Sequence, residues 1–520
     1  MGGLLEASVK DVPWPPTRQL ACGAVRSRVS RRCLTIGAAG LCVSLLALTS
    51  GNASRASAGS RLHSAQQLRT YTTKGTAPLR TSLLDPFTFT GVQQAAAFKM
   101  AHAAGAGYVR LVVPWSQIAP ATLPSDFVAT DPDSPYYNWG WLDNTVKAID
   151  ADGLAPILDI STAPTWGFAR PGNGQTAGSP RASDLAAFAT AIARRYDGAN
   201  GHSLVRAYQV WNEPNLSLDL SPINAAATYR GMVNAVATAV HKVSPANLVI
   251  AGGLDPFENL AKTFVTQAPL AFMRSFLCIS KGPHPHATCS TKVHLDAWSH
   301  HPYTFGGPFG HAKRTDDVSL GDLPKMRALL KTAVKLHRIV SSHSVQFWVT
   351  EFGWDTNPPR KHGVPLSLEA RWTAESLYQM WHSGVSLVTW FLLQDQPSPS
   401  PYQSGLFFHS KSLKQAKAKP MRTAFRFPFV AYLGKGTVRT WGRDATSKKQ
   451  LVTIQRRHGA QGKWRAIGRV RTNRYGIFQA TLKLAATKTD WLRATAAGSG
   501  NSLAFSLTVP KNVRYGPWGN

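Results

Sequence analysis

Two glutamates stand at the ends of apolar, β-type runs, and together they could perform acid–base and nucleophilic chemistry. Glu213 closes a run that ends in Trp-Asn-Glu-Pro at residues 211–214, and Glu351 lies in Thr-Glu-Phe-Gly-Trp at residues 350–354. A carboxyl that keeps its proton can act as a general acid, whereas an ionised one can act as a nucleophile. A bare Asn-Glu-Pro is a weak signal, because it also suits a turn before a helix.

The elements that would position these glutamates run from residue 79 to about residue 427, where short apolar runs alternate with amphipathic segments. This alternation predicts strand–helix units around a parallel sheet. Eight runs read as strands, at 81–84, 108–113, 154–160, 207–211, 248–251, 295–299, 347–350 and 387–392. Helical periodicity is found at 92–104, 142–150, 184–196, 225–241, 324–340 and 368–382, with Ser183 as an N-cap. The pattern predicts an α/β protein with a closed (β/α)₈ TIM barrel, in which functional residues follow the strands.

Counted along these strands, Glu213 ends the fourth and Glu351 the seventh. Trp-Asn-Glu-Pro there resembles the acid/base motif of glycoside hydrolase clan A, a group of retaining (β/α)₈ enzymes, and Thr-Glu-Phe-Gly-Trp resembles the nucleophile motif of its members. Within the clan, the pair looks closest to the β-xylosidase and α-iduronidase family (family 39-like) or to the cellulase-like members (family 5-like). The resemblance covers residues 79–427 and is specific at the two motifs.

The resemblance implies a retaining glycoside hydrolase that cleaves O-glycosidic bonds of a β-linked polysaccharide or oligosaccharide by double displacement, without a cofactor or metal. Glu213 would be the acid/base and Glu351 the nucleophile. Such a reaction requires the two carboxyls to lie about 5–5.5 Å apart. The alternative is a non-catalytic carbohydrate- or cell-wall-binding protein on the same scaffold. The presence of both glutamates argues against it.

Two further polar residues are expected beside the pair. Arg110 is a charged residue in an otherwise apolar second strand, which is costly unless it is paired. It matches the clan's arginine that supports the nucleophile, although an outward arginine covered by a helix would give the same pattern. Asn212 matches the residue that hydrogen-bonds the sugar 2-hydroxyl.

Residues after the sixth and eighth strands complete the predicted substrate site. His301 and Tyr303 resemble the clan's histidine and tyrosine near the nucleophile, and His300 is open as the alternative to His301. Trp390 stands where the clan places an aromatic platform beneath the sugar. Other strand-end tryptophans that fit either a sugar subsite or plain core packing are Trp115, Trp166 and Trp354.

The chain changes character at about residue 429. Short runs at 438–441, 451–456, 464–470, 477–482, 491–494 and 503–509 predict an antiparallel, immunoglobulin-like β-sandwich over 429–510, followed by a tail at 511–520. From Lys411 onward, 23 lysines and arginines face only Asp444 and Asp490, within a chain of net charge +31. This asymmetry favours attraction to an anionic cell-wall polymer. A solvated basic surface on a spacer domain is equally compatible with it.

The N-terminal region predicts export. Four arginines between residues 26 and 32 precede an uncharged apolar run at 33–49, and Ala-Ser-Ala follows at 56–58. This is typical of a signal peptide over 1–58, followed by a linker at 59–78. A membrane anchor is the alternative, but the run is short for a span of about 20 residues. We expect a secreted or cell-wall-associated protein, without a nucleic-acid partner and without a membrane span after cleavage.

Only two of the five cysteines, Cys278 and Cys289, would remain after signal cleavage. A lone pair in an exported protein predicts one disulfide. His284 and His286 lie between them, so a zinc site is the alternative, although the spacing fits no common zinc pattern.

Overall fold

The computed structural model describes residues 68–518 except 76, 173–176, 222–224, 261–263, 401, 447 and 512. The predicted signal peptide and half of the predicted linker, residues 59–67 and 76, lie outside the described residues. The chain from Leu68 onward forms one compact unit. Among the helices of this described part, none is long and apolar enough to span a membrane.

Eight parallel strands close into a barrel, as predicted, and each lies within three residues of its predicted bounds. They are β1 (Arg80–Leu84), β2 (Tyr108–Pro114), β3 (Ala155–Ser161), β4 (Ala207–Val210), β5 (Leu248–Leu254), β6 (Ala297–His300), β7 (Gln346–Val349) and β8 (Leu387–Phe391). Consecutive strands are neighbours, and β8 pairs with β1 to close the ring. Their residues are almost all buried because helices cover the outer face.

The α-helices of the described residues are α1 (Gln94–Ala103), α2 (Trp115–Ile118), α3 (Gly140–Ala151), α4 (Ala182–Arg195), α5 (Ala226–Val243), α6 (Pro269–Leu277), α7 (Leu323–Lys335), α8 (Leu366–His382) and α9 (Pro420–Arg426). The helical periodicity predicted α1, α3, α4, α5, α7 and α8, but it did not predict α2, α6 and α9. The prediction of Ser183 as an N-cap was wrong. Arg181 is the residue with the extended backbone (φ −70°, ψ 125°) that precedes the first turn, and Ser183 lies inside that turn.

The loops of the barrel contain short 3₁₀ helices and short strand pairs. The 3₁₀ helices are Thr165–Gly167, Leu320–Asp322 and Leu413–Gln415. Two-stranded pairs join Phe168–Arg170 to Ser179–Pro180, Asn259–Leu260 to Val265–Thr266, Val293–His294 to Ile339–Val340, and Thr356–Asn357 to Val364–Pro365. The predicted helix at 324–340 is shorter than expected, because α7 ends at Lys335 and the chain then forms one of these strands.

The C-terminal region forms the predicted β-sandwich. Its main strands are β9 (Phe429–Gly434), β10 (Thr437–Arg443), β11 (Leu451–His458), β12 (Arg465–Arg471), β13 (Ile477–Lys483) and β14 (Asp490–Ala496). One sheet has the order β9-β10-β13, and the other contains β12-β11-β14 with Gly500–Asn501 and Phe505–Ser506 at β14. Thr70–Thr72 pairs in parallel with β12. This segment therefore belongs to the second sheet, where the sequence predicted a linker.

The sandwich packs directly on helix α8 of the barrel. The Tyr378 ring lies 5.6 Å from that of Tyr432 and 5.4 Å from that of Trp441, measured between centroids. The Arg371 guanidinium lies 4.0 Å from the Phe505 ring centroid. Aromatic contacts of this kind bury large apolar surfaces on both sides. These contacts join the barrel to the sandwich. Periodicity predicts the helix and the strands that carry these side chains, but it does not predict that the two surfaces meet.

The predicted disulfide is present. Cys278 and Cys289 are bonded, with their Cα atoms 5.5 Å apart, and the bond closes the loop after α6. Both sulfurs are used by this bond, so neither is available as a zinc ligand. Within the described residues, no cluster of histidine, cysteine, aspartate or glutamate suits a metal ion.

Candidate active site

Glu213 and Glu351 both lie at the C-terminal mouth of the barrel, directly after β4 and β7. Their side chains are 14% and 18% exposed. Trp211 and Glu213 have left-handed backbone conformations, with φ of 67° and 36°, and the Glu213 N–H donates to the Gly253 carbonyl at 3.1 Å. Non-glycine residues rarely take this conformation, and they concentrate at functional sites. Here the turn aims Glu213 across the mouth.

Each oxygen of Glu351 accepts a hydrogen bond from a different donor. The Tyr303 hydroxyl donates to Oε1 at 2.8 Å, and Arg110 Nη1 donates to Oε2 at 3.1 Å. One of these donors is a cation and the other is a neutral hydroxyl. Both contacts stabilise negative charge on Glu351.

Arg110 is fully buried and is the centre of a three-acceptor network. Besides Glu351, its Nη2 donates to Asp159 Oδ2 and to Asn212 Oδ1, both at 2.8 Å. A buried cation is stable only when it is paired in this way. Arg110 therefore faces the site, and it is not an outward residue covered by a helix.

The contact with Arg110 also fixes the amide of Asn212. A guanidinium can only donate hydrogen bonds, so Asn212 must present its carbonyl oxygen to Arg110. Its NH₂ group is consequently the part that is left to serve as a donor to another molecule.

Asp159 is a site residue that the sequence reasoning missed. It lies in the middle of β3, is fully buried, and accepts from Arg110. Burial raises its pKa to about 6, against the opposing charge of Arg110 and with a further increase from Glu351. A signal was present, because a lone carboxylate inside an apolar strand is costly unless paired, just as Arg110 is.

The structure brings His301 and not His300 into the site. His301 Nδ1 lies 3.1 Å from Glu213 Oε1, and its Nε2 lies 3.2 Å from the Thr350 hydroxyl. Burial lowers the His301 pKa to about 3, so the ring beside Glu213 is neutral at ordinary pH. His300 points elsewhere and donates from Nε2 to the Val318 carbonyl at 2.8 Å.

Gly253 makes room for this histidine. It has a φ of 63°, and an added Cβ would lie 3.0 Å from Gln209 Nε2 and 3.3 Å from His301 Nε2. Any side chain there would strain the backbone and displace the ring that contacts Glu213.

Comparison with known proteins places the chain in a family. The model of the cellulase family, glycosyl hydrolase family 5, matches residues 69–390. The chain belongs to glycosyl hydrolase family 5. This confirms the clan A prediction, and of the two families that the motifs resemble, the cellulase family is the one whose model matches. A search of curated proteins found no significant match.

Solved structures that are similar to this chain include three glycoside hydrolases of low identity. A family 39 enzyme from Bacteroides cellulosilyticus is 15% identical, covers 80% of each chain and has a TM-score of 0.45. An endo-β-1,4-mannanase from Thermotoga petrophila is 12% identical, with coverage of 83% and 98% and a TM-score of 0.39. A family 30 endoxylanase from Clostridium papyrosolvens is 10% identical, with coverage of 81% and 97% and a TM-score of 0.43. At these identities the likeness concerns the fold alone.

In this family 5 chain, Trp390 does not reach the site. Its side chain is fully buried, its Nε1 donates to the Ser404 carbonyl at 2.9 Å, and its ring packs against Phe352 and Phe425. Successive strand residues face opposite sides, so Trp390 points to the helices and Phe391 points to the mouth. No face of Trp390 is open to a sugar. Its expected role as a platform is therefore corrected to core packing.

Two of the remaining strand-end tryptophans, Trp115 and Trp354, are also packing residues. Trp115 and Trp354 are buried, and Trp354 donates to the Thr304 carbonyl at 2.8 Å. Trp166 is partly buried and donates to the Pro120 carbonyl at 2.7 Å. The family 5 site therefore joins six predicted residues, Arg110, Asn212, Glu213, His301, Tyr303 and Glu351, and adds Asp159 to them.

Proposed function

We propose that this protein is a retaining glycosidase that hydrolyses β-linked polysaccharide or oligosaccharide, with Glu351 as nucleophile and Glu213 as acid/base. One observation carries the proposal. Glu351 accepts from a buried arginine and a tyrosine hydroxyl, whereas Glu213 contacts a neutral histidine. Two carboxyls in such unlike surroundings are suited to opposite roles, one ionised and one protonated.

In the first step, a Glu351 oxygen forms a bond to the anomeric carbon. The bond from that carbon to the leaving oxygen breaks, and the leaving oxygen takes the proton of Glu213. Arg110 and Tyr303 hold the attacking carboxylate in place. Burial and the charges of Glu351 and Glu213 raise the Tyr303 pKa far above its ordinary value, so Tyr303 stays a hydrogen-bond donor throughout.

In the second step, Glu213 removes a proton from water, and the water oxygen replaces Glu351 at the anomeric carbon. The two inversions together retain the configuration. His301 is neutral and has two ring nitrogens, with Nδ1 at Glu213 and Nε2 at the Thr350 hydroxyl. Nδ1 can accept from a protonated Glu213 or donate to an ionised one, according to the tautomer. His301 can therefore support both states of Glu213.

Asn212 supports recognition of the sugar next to the nucleophile. Its carbonyl oxygen is held by Arg110, so its NH₂ group is left to donate to a ring hydroxyl. The 2-hydroxyl is the group whose contacts strengthen as the transition state forms. An Asn212→Ala variant would test this contact, because it should lose less activity on a 2-deoxy glycoside than on the parent sugar.

Chemical rescue with azide separates the two glutamate roles. Aryl β-glucosides, xylosides, mannosides and cellobiosides serve as the substrate panel. With Glu351→Gly, azide would occupy the space of the carboxylate and attack the anomeric carbon directly, giving the α-glycosyl azide. With Glu213→Ala, azide would attack the glycosyl–Glu351 ester, giving the β-glycosyl azide. NMR of the products distinguishes the two anomers.

Glu258→Ala is the matched control, since this glutamate contacts Arg314 and not the Arg110 network. It should hydrolyse the aryl glycosides at the wild-type rate, with retention. Full hydrolysis by the Glu351→Gly variant without azide, or the same azide anomer from both variants, would contradict the assignment. A protein that binds glycans but hydrolyses no member of the panel or of a polysaccharide set would support the non-catalytic alternative.

We also propose that the protein acts outside the cell and that its sandwich binds an anionic wall polymer. The signal-like segment at 1–58 supports export. Three arginines are exposed along β12: Arg465, Arg469 and Arg471. The sandwich contains only two acidic residues, Asp444 and Asp490. Clustered cations attract polyanions, and salt screens that attraction.

Co-sedimentation of the whole chain with an acidic polysaccharide tests this surface. Binding should weaken as salt rises, and replacing Arg465, Arg469 and Arg471 by serine should reduce it. Binding that changes neither with salt concentration nor with these substitutions would favour the spacer role. A neutral polysaccharide is the control, and recovery of the mature chain from culture medium tests export.

A further inference from the structure

The last described residues, 514–518, contact loops at the mouth of the barrel. The Gly306 N–H donates to the Tyr515 carbonyl, and the Asp355 N–H donates to the Pro517 carbonyl, both at 2.8 Å. Gly306 and Asp355 belong to the loops that follow β6 and β7. The segment that the sequence predicted to be a tail is therefore attached by its backbone to the two loops that carry Tyr303 and Glu351.

This attachment brings Trp518 close to the nucleophile. Its ring centroid lies 4.3 Å from that of Tyr303, whose hydroxyl donates to Glu351 at 2.8 Å. Trp518 also packs against the apolar cluster that contains Leu84 and Phe391. Trp518 is itself partly exposed.

The position of Trp518 relative to the barrel strands indicates which part of a substrate it would contact. Leu84 ends β1 and Phe391 ends β8, and the two residues are paired neighbours. β4, which carries Glu213, lies on the opposite side of the eight-stranded ring. Glu213 protonates the leaving oxygen, so the leaving group departs on the β4 side. The sugar that remains on Glu351 then lies towards β8, β1 and Trp518.

We propose that Trp518 forms an aromatic wall of the pocket for this retained sugar and determines its specificity. Apolar C–H faces of sugars pack on aromatic rings, and Trp518 is a partly exposed aromatic side chain beside Tyr303 and Phe391. It reaches this position from a distant part of the chain. The inference rests on the proposed glycosidase function for the assignment of the sugar's side.

Kinetics of Trp518 variants on the aryl glycoside panel test the proposal. Losing one aromatic face removes contact with the sugar, so Trp518→Ala should lower kcat/KM by about ten- to a hundredfold. Trp518→Phe, which keeps an aromatic face, should retain most of the activity. Trp141→Ala is the matched control, since Trp141 is a partly buried tryptophan on α3. It should leave kcat/KM unchanged.

A double-variant cycle with Tyr303→Phe distinguishes sugar contact from mere support of Tyr303. If Trp518 contacts the sugar, its alanine variant should lower kcat/KM by a similar factor with or without the Tyr303 hydroxyl. If the effect disappears in the Tyr303→Phe background, Trp518 acts through Tyr303 and the proposal is overturned. Wild-type kcat/KM in the Trp518→Ala protein, with its melting temperature preserved, also overturns it.

Binding separates failure of this inference from failure of the proposed function. Calorimetry of the Glu351→Gln protein with cello-, xylo- and manno-oligosaccharides measures sugar affinity without turnover. Trp518→Ala in that background should weaken the affinity by about tenfold or more. If azide rescue fails but this loss is seen, the catalytic assignment is wrong and the aromatic wall stands. If rescue succeeds and affinity is unchanged, the wall is wrong and the chemistry stands.

Discussion

Asp159 is the residue whose ionisation should leave the clearest mark on stability, and Asp159→Asn is the change that shows it. The unfolded chain releases this proton near the ordinary pKa of 3.8, whereas burial keeps it on the folded protein until a pKa of about 6. Because Asp159 has the higher pKa in the folded protein, protonated Asp159 favours the folded state, and its full contribution to the free energy of unfolding is present below pH 3.8. That contribution is lost as the pH rises through the folded pKa of about 6.

The difference between the two pKa values gives the size of the effect. A rise from 3.8 to about 6 corresponds to about 3 kcal/mol in the free energy of unfolding. Asparagine has no proton to release, so the free energy of unfolding of the variant should not fall in this way as the pH rises. Its amide oxygen can still accept from Arg110, but its NH₂ group falls where Asp159 Oδ1 has no partner, which adds a cost that does not depend on pH. The readout is therefore the change with pH.

Urea unfolding of both proteins at intervals from pH 4 to pH 8 measures this change. The stability of Asp159→Asn relative to wild type should increase by about 3 kcal/mol between pH 4 and pH 7, and all shared groups cancel in the comparison. Asp133→Asn, which removes a carboxylate that is 84% exposed, is the control. A relative stability of Asp159→Asn that stays constant over this range would refute the reasoning.

Three further predictions follow from the geometry. Replacing Cys278 and Cys289 by serine should lower the free energy of unfolding by about 3 kcal/mol in denaturant titrations, with kcat unchanged, since the bond closes a short loop away from the glutamates. Gly253→Ala should lower both kcat and the melting temperature, because its Cβ would crowd His301; unchanged kinetics would contradict this. His301→Ala should slow the hydrolysis of glycosides with poor leaving groups by about a hundredfold, because His301 supports the proposed proton donor, Glu213. It should barely change the hydrolysis of dinitrophenyl glycosides, and an equal loss of rate on both kinds of substrate would be inconsistent with that role.

The barrel could be predicted because its information is local. All eight strands are short apolar runs buried on both faces, and turn residues and helical periodicity separate them. The predicted bounds failed where tertiary contacts override local preference. Thr70–Thr72 reads as a polar linker by itself, and it becomes a strand only because the edge of β12 offers it backbone partners.

Site residues at strand ends, such as Glu351, were predicted from their position. Arg110 was predicted as a charge inside an apolar strand, and the same argument would have identified Asp159 in β3. Trp390 was misassigned because two adjacent residues at a strand end face opposite ways, and the motif does not say which one faces the mouth. Trp518 lies more than a hundred residues beyond β8, the last strand of the barrel, and no local pattern links it to Tyr303.

The charges of the site suggest how its proton cycles. Three carboxyls, on Asp159, Glu213 and Glu351, share the mouth with one buried cation, Arg110. Arg110 contacts Glu351 and Asp159, whereas Glu213 contacts the neutral His301. In the proposed mechanism, forming the ester removes the charge of Glu351, and with it one cause that raises the Asp159 pKa. The ester also removes one anion that shares the mouth with Glu213. The proposed step that uses the proton of Glu213 would therefore prepare Glu213 to act as a base.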